Sequence, residues 1–116
     1  MIDKIILIGE WKTIPVIKDG GWVDGEYIEG GKIADLKCIL NPMSAKFLKN
    51  FESGQYTMQD MVAYSRQYVE NWQNATVQVT NRYGCIDEFT IDDVKMWDDS
   101  ELIKYLLKKK VGINGQ

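Results

Sequence analysis

Acidic residues stand side by side at three places in the chain, and such pairs are the side chains here that could bind a divalent cation. The pairs are Asp87-Glu88, Asp92-Asp93 and Asp98-Asp99. Adjacent carboxylates supply the oxygen ligands that Mg²⁺ and Ca²⁺ prefer. A β-bulge and a solvated turn are the more ordinary explanations, and we prefer them. A metal-dependent nuclease is the enzyme alternative that these pairs leave open.

The sequence lacks the residues and spacings that nucleophilic catalysis, phosphate binding and zinc binding require. The 116 residues contain no histidine, which removes the commonest general base and metal ligand, and with it any Ser-His or Cys-His nucleophile pair. The paired glycines at 20–21 and 30–31 lack the lysine and the spacing of a phosphate-binding loop. Two cysteines far apart in the sequence, Cys38 and Cys85, do not make a zinc site, and Cys38 falls in an apolar strand pattern that predicts a buried thiol. The sequence therefore predicts no enzyme, no metal site, no cofactor and no small-molecule substrate.

Composition indicates one domain over residues 1–116. Hydrophobic residues at 45% and charged residues at 27% are ordinary globular values. The net charge of −3 lacks the basic excess that a surface gripping nucleic-acid phosphates requires. We find no apolar run of the length that a membrane span needs, and residues 1–9 are more typical of a first strand than of a signal peptide. A protein of cytoplasmic origin is expected.

Aromatic side chains are the strongest candidates for a protein interface. The chain has four tryptophans, a residue enriched at interface hot spots. Trp72 is expected in a contact loop, whereas Trp11 and Trp22 fit a partner contact and the capping of a barrel end equally well. Trp97 is expected in the core.

A small basic cluster at the C-terminal end is a second candidate. Lys108, Lys109 and Lys110 are most simply a solvated strand end, with contact to DNA or to an acidic neighbour as the alternative.

The first third of the chain reads as short strands and a glycine-rich hairpin. Residues 1–18 predict an edge strand or an extended arm, because Pro15 cannot donate to a sheet ladder. Residues 18–32 predict a hairpin loop around Asp24-Gly25, which suits a type I′ turn with positive φ at both central residues. Trp22, Asp24 and Tyr27 in this loop are interface candidates.

A strand, a short helix and a further strand are predicted next. Residues 33–40 alternate, with Leu36 and Cys38 on the core face. A short helix is expected over about 43–52, with Pro42 at its start and Gly54 as its stop. Its apolar residues at helical spacing should cover one end of a barrel. Residues 62–69 are then expected to form a strand.

The C-terminal half predicts further strands. Residues 76–80 form a compact β-branched strand, residues 81–84 a turn, and residues 85–97 a long strand with a bulge at Asp92-Asp93. Residues 101–110 are ambiguous. Ser100 is a good N-cap before strong helix formers, so propensity favours a helix. Alternation of Ile103, Tyr105 and Leu107 fits a strand instead.

The order of these segments resembles the head–tail connector proteins of tailed bacteriophages, which are also called head-closure, stopper or neck proteins. Residues 21–26 are similar to their W-x-x-G hairpin, and residues 40–54 to their Q-P-x-S … L … E-G segment, with Asn41 in place of the usual glutamine. Residues 83–108 are similar to their closing hairpin, whereas 71–81 do not align. The likeness extends over roughly residues 18–111 and depends more on order and spacing than on one diagnostic motif.

The resemblance implies a mainly β fold: a small SH3-like barrel of antiparallel strands with one short helix, long loops and 101–110 as the closing strand. It implies a structural virion protein that forms a ring, a hexamer or a dodecamer, between the portal or adaptor and the tail. Such a ring closes the filled head, docks the tail and lets DNA pass without specific binding. A tail-terminator or tail-completion ring protein and a host SH3-like binding module are the alternatives.

Overall fold

The computed structural model of the chain describes residues 9–81, 83–96 and 102–110. Within these residues the chain forms eight strands and one short helix. In chain order they are β1 (Lys12–Lys18), β2 (Gly21–Val23), β3 (Glu26–Ile28), β4 (Gly31–Pro42), α1 (Ala45–Leu48), β5 (Met61–Ser65), β6 (Thr76–Thr80), β7 (Ile86–Met96) and β8 (Ile103–Lys109).

Six of these strands close into an antiparallel barrel in the order β1-β4-β5-β8-β7-β6, while β2 and β3 pair only with each other as a separate hairpin. The predicted mainly β barrel with one short helix is therefore confirmed. The strand expected in the first eight residues and the core position expected for Trp97 lie outside the described residues.

The barrel interior is filled by side chains that alternate along the strands. In β4, Leu36 and Cys38 are fully buried while Asp35 and Lys37 are exposed, as the sequence pattern predicts. Val16, Val77, Ile91 and Tyr105 are examples from other strands that point into the same core. Each fully buried aliphatic side chain stabilises the fold by about 1.5–3 kcal/mol, so this core is the main source of stability.

β1 is a barrel strand rather than a free arm or an edge strand, which corrects the expectation for residues 12–18. It pairs with β4 along its whole length and with β6 through Val16–Val77 and Ile17–Thr76 only. Pro15 lies just outside this two-residue contact. The missing amide of the proline therefore falls where β1 has no partner in β6.

The ambiguous C-terminal segment is a strand. β8 pairs with β5 on one side and β7 on the other, and Tyr105, Leu106 and Leu107 are all buried. Helix propensities differ by at most about 0.7 kcal/mol per ordinary residue, less than the burial of one such side chain. The bulge predicted in β7 is also confirmed, as a register shift between Ile91 and Asp93.

The connection from β4 to β5 builds a second small core on the outside of the barrel. Met43, Tyr56, Val62 and Leu106 are buried there, with side chains of the helical region packed around them. Val62 and Leu106 alternate with inward-facing neighbours, so they point outward from β5 and β8. We call this group the outer cluster.

Two expectations for this connection are corrected. Phe47, Leu48 and Phe51 pack against the outer cluster, so they cover the barrel wall and not one of its ends. Pro42 is the last residue of β4, paired with Met61, whereas the helix is capped by Ser44, whose Oγ accepts a hydrogen bond from the backbone N–H of Phe47.

The helix itself is shorter than the predicted 43–52 segment. Gly54 has the expected positive φ of 86°, but the helix already ends at Leu48 with Lys49 as its C-cap, so the prediction that Gly54 stops the helix is wrong. β5 likewise ends at Ser65, earlier than the predicted 62–69 strand, and the following residues take another role described below.

Candidate assembly surfaces

The β2–β3 hairpin presents two aromatic side chains to solvent. Asp24 and Gly25 both have positive φ, at 50° and 83°, so the two-residue turn has the predicted left-handed geometry. Trp22 and Tyr27 face each other across the strands as an edge-to-face pair, with ring centroids 5.7 Å apart. They are nevertheless 75% and 61% exposed. Large apolar side chains that are exposed to solvent and held in a fixed arrangement are typical of an interaction site.

The hairpin stands apart from the barrel. β2 and β3 contact each other and no other strand or helix among the described residues. The two chain segments cross at its base through Gly20 and Gly30, where a Cβ on Gly30 would lie 2.3 Å from the Gly20 nitrogen. Only glycine permits this close approach, so the base of the hairpin is a tight neck between barrel and tip.

The hairpin is also strongly acidic. Residues 19–30 carry four carboxylates and no basic side chain. All four are exposed: Asp19, Asp24, Glu26 and Glu29. The tip therefore combines an aromatic pair with concentrated negative charge, which favours a partner with a basic and partly aromatic surface.

A pocket of this complementary kind lies at the start of β1. Its volume is about 340 Å³, and the described residues that line it are Trp11, Lys37, Arg66 and Gln67. The guanidinium carbon of Arg66 lies 5.3 Å from the centroid of the Trp11 ring, within cation–π distance. Trp11, an interface candidate from the sequence, thus forms part of a basic and aromatic concave surface. We refer to it as the Trp11 pocket.

Hydrogen bonds hold the floor of the Trp11 pocket in place where β5 ends. The Gln67 side chain donates to the Asp35 carbonyl and accepts from the Lys37 N–H, at 2.8 Å and 3.3 Å. The Ser65 hydroxyl donates to the Lys37 carbonyl at 2.6 Å and accepts from the Gln67 N–H at 3.0 Å. These bonds continue the attachment of this segment to β4 after the strand ladder has ended.

Tyr105 anchors the same segment from inside the barrel. Its fully buried side chain donates a hydrogen bond to the Gln67 carbonyl at 2.5 Å and accepts one from the Val69 N–H at 3.0 Å. Burial is the largest cause that raises the pKa of the Tyr105 hydroxyl, which keeps the hydroxyl in its donating form. The chain after Ser65 is therefore fixed although it is no longer a strand.

The hairpin and the Trp11 pocket lie at opposite ends of one ladder. Lys12 pairs with Cys38 and Thr13 with Lys37 near the pocket, whereas Lys18 pairs with Gly31 where the hairpin begins. At about 3.3 Å per residue the two ends of this ladder are about 20 Å apart. The two surfaces cannot meet within one chain.

The other interface candidates from the sequence are less accessible to a partner. Trp72 is partly buried and packs against the barrel core, so the described structure favours a core role over a contact loop. Lys108, Lys109 and Lys110 are exposed, and the side chains of two of them have partners: the Lys108 ammonium donates to the Gln55 carbonyl at 3.1 Å, and the Lys109 ammonium lies 4.0 Å from the Asp87 carboxylate.

The acidic pairs have structural partners where they are described. Asp92 accepts a hydrogen bond from the Tyr56 hydroxyl, and Asp93 pairs with Lys95 at 3.4 Å. Within the described ranges no group of three His, Cys, Asp or Glu side chains could hold a metal ion. The Asp98-Asp99 pair lies outside them. Of the helices that are described, none has the length and apolar character to cross a membrane.

A second pocket lies between α1 and β8, with a volume of about 400 Å³. Its two lysines already have partners: Lys95 pairs with Asp93, and the Lys104 ammonium lies 5.7 Å from the Phe47 ring centroid. Burial lowers the pKa of Lys104. This pocket is therefore less suited to an acidic partner than the Trp11 pocket.

Sequence reasoning did not find Lys37, Arg66 or Gln67, because the pocket joins three separate segments. It also missed Asp60, a buried carboxylate that accepts hydrogen bonds from the N–H groups of Thr57 and Lys109, each at 2.8 Å. A signal for Asp60 is present: Thr57 followed three residues later by an acid is the pattern of a carboxylate that reaches back to a backbone N–H.

Comparison of the chain with family models, curated proteins and solved structures gave no match, so the geometry above must carry the functional argument.

Proposed function

We propose that this chain is a structural subunit of the neck of a tailed bacteriophage. Copies assemble as a ring between the portal or adaptor and the tail, where the ring closes the DNA-filled head and docks the tail. The resemblance in segment order motivates the proposal. The observation that carries it is the exposed acidic and aromatic hairpin, whose two strands contact no barrel strand among the described residues.

A ring subunit requires two different surfaces that bind each other head to tail. The chain offers two such surfaces in the hairpin and the Trp11 pocket. Both are attached to the same pair of strands, β1 and β4. A rigid scaffold with a projecting contact element suits a protein whose work is binding geometry, and the proposed role makes or breaks no covalent bond.

A mildly acidic subunit is also compatible with a channel for DNA. The net charge of −3 gives no excess of cations to hold phosphates as DNA moves through the ring. The proposed partners are therefore further copies of the chain, the portal or adaptor, and the tail proteins. The proposed location is the virion neck, after assembly in the host cytoplasm.

The decisive experiment is cryo-electron microscopy of virions produced by the strain that encodes the chain, with the chain located by a C-terminal affinity tag. Density for a ring of this barrel next to the portal or adaptor is the expected result. A ring at the top of the tail tube would support the tail-terminator alternative instead. Absence of the tagged chain from purified virions, together with its recovery as a monomer from cells, would favour the host binding module.

A further inference from the structure

We infer that the β2–β3 hairpin of one copy docks into the Trp11 pocket of the next copy of this chain. The inference depends on the proposed ring assembly and specifies the contact that closes it. The occupant of the pocket is thus a second copy, bound head to tail.

Charge is the first argument for this contact. No described basic side chain forms an ion pair with any of the four hairpin carboxylates, and no described carboxylate pairs with Lys37 or Arg66. Glu10 precedes Trp11 in the sequence but does not line the pocket. An acidic tip and a basic pocket that both lack an ion-pair partner among the described residues can neutralise each other between chains, which speeds encounter and excludes wrong partners.

Shape and chemistry agree with the charges. The Trp11 pocket offers an indole face next to the Arg66 guanidinium, and planar guanidinium groups both stack on aromatic rings and bind carboxylates. The hairpin tip carries an aromatic pair beside Asp24 and Glu26. Tryptophan, tyrosine and arginine are the residue types that dominate the energy of protein interfaces.

Geometry excludes a closed contact within one molecule. The hairpin leaves the β1–β4 ladder at Lys18 and Gly31, while the Trp11 pocket lies at the other end, beside Lys12 and Cys38. A hairpin that binds such a pocket must bind that of another copy, and the pair of copies then keeps one free pocket on the first copy and one free hairpin on the second. This heterologous contact generates a ring where the rotation closes and a filament where it does not.

Two single variants and their mixture test the contact. Trp22→Ser removes the hairpin anchor and keeps the pocket, whereas Arg66→Glu reverses the pocket charge and keeps the hairpin. Both residues are exposed, and Lys37→Glu provides a second pocket variant should Arg66→Glu not fold. Each variant alone should self-associate about 30-fold more weakly than the unaltered chain in analytical ultracentrifugation over a concentration series.

The mixture gives the sharper result. Trp22→Ser supplies a working pocket and Arg66→Glu a working hairpin, so together they should form a one-to-one heterodimer with the affinity of the unaltered chain and nothing larger. Tyr83→Ser and Lys46→Glu are matched controls on other exposed surfaces, and they should associate as the unaltered chain does.

Each other outcome overturns the inference in a recognisable way. Absence of the heterodimer shows that the two surfaces do not bind each other. Neck rings that assemble normally from both variants leave the proposed function standing and reject this contact. Loss of binding to a single-stranded oligonucleotide in Arg66→Glu, with association unchanged, would make the pocket a phosphate site. An unaltered chain that remains monomeric at every concentration rejects the contact as well.

Discussion

Cys38 shows how burial controls chemistry at the level of one residue. Its side chain has no exposure to solvent in the barrel core, and this burial raises the pKa of the thiol from an ordinary 9.0 to about 11, with Lys12 lowering it to a smaller degree. The thiol is therefore protonated and unreactive in the folded protein near neutral pH, because the thiolate is the reactive form. Cys85, the other free cysteine, is exposed.

The raised pKa predicts a loss of stability in alkaline solution. Between pH 9.0 and about 11 the unfolded chain releases the Cys38 proton and the folded chain retains it. The free energy of unfolding should therefore fall by up to about 2–3 kcal/mol across this window, and stay unaffected by this group below it. Urea unfolding at a series of pH values measures the effect.

Two cysteine variants provide the comparison. Cys38→Ala should show a shallower decline of unfolding free energy than the unaltered chain, whereas Cys85→Ala should match it. Burial also raises the pKa values of Tyr64 and Tyr105 in all three proteins, and only the smaller part of the Tyr105 shift that comes from Cys38 is lost in Cys38→Ala. Equal slopes for the two variants would contradict the prediction.

At the level of the element, the signals that lie close together in sequence predict structure well. Asp24-Gly25 specifies the β2–β3 hairpin because both residues tolerate positive φ, and Asp92-Asp93 correctly predicts the bulge in β7. Longer-range features behave differently. The end of β5 at Ser65 depends on two hydrogen bonds, from the Ser65 hydroxyl to the Lys37 carbonyl and from the buried Tyr105 hydroxyl to the Gln67 carbonyl. Both join residues far apart in the chain, so no local sequence pattern predicts them.

The neck of the hairpin gives a prediction at this scale. Gly30→Ala would place a Cβ 2.3 Å from the Gly20 nitrogen and 2.8 Å from the Lys18 carbonyl oxygen, so one of the two chain segments at the neck must move. Overpacking of this kind costs about 1–3 kcal/mol, and an isolated two-stranded hairpin has little stability to lose. Amide hydrogen exchange within residues 21–28 should accelerate about tenfold or more.

Gly21→Ala is the matched control, because a Cβ at Gly21 meets no atom within 4 Å. Its hairpin should exchange as in the unaltered chain. Both variants should retain the cooperative urea unfolding of the barrel, since the hairpin contacts no barrel strand among the described residues. Unchanged exchange in Gly30→Ala would show that the neck relaxes freely and would refute the prediction.

At the level of the whole molecule, the barrel closes through ladders of unequal length. β7 and β8 pair through seven residue positions, whereas β1 and β6 meet only at Val16–Val77 and Ile17–Thr76. The sequence predicts the strands of a barrel but not this inequality, because the order in which strands pair depends on contacts between residues far apart in the chain. The short seam between β1 and β6 is a direct consequence of that order.

The seam predicts where the barrel opens first. Native-state hydrogen exchange should show lower opening free energies for the amides at the β1–β6 contact than for those shared by β7 and β8, because local opening follows the number of hydrogen bonds and apolar contacts that break together. Exchange at increasing urea concentrations measures both sets in one experiment. A uniform opening free energy around the barrel, or earlier opening between β7 and β8, would contradict the prediction.

The location of the hairpin and the Trp11 pocket at the two ends of the β1–β4 ladder has a mechanical consequence for the proposed ring. Tension between neighbouring copies would enter both strands at the hairpin and leave both at the pocket, so it would run along the covalent backbones of β1 and β4 and would spare the hydrogen bonds between them. A peeling load would break those hydrogen bonds one at a time and at lower force. A ring joined in this way would be suited to hold against the outward pressure of tightly packed DNA.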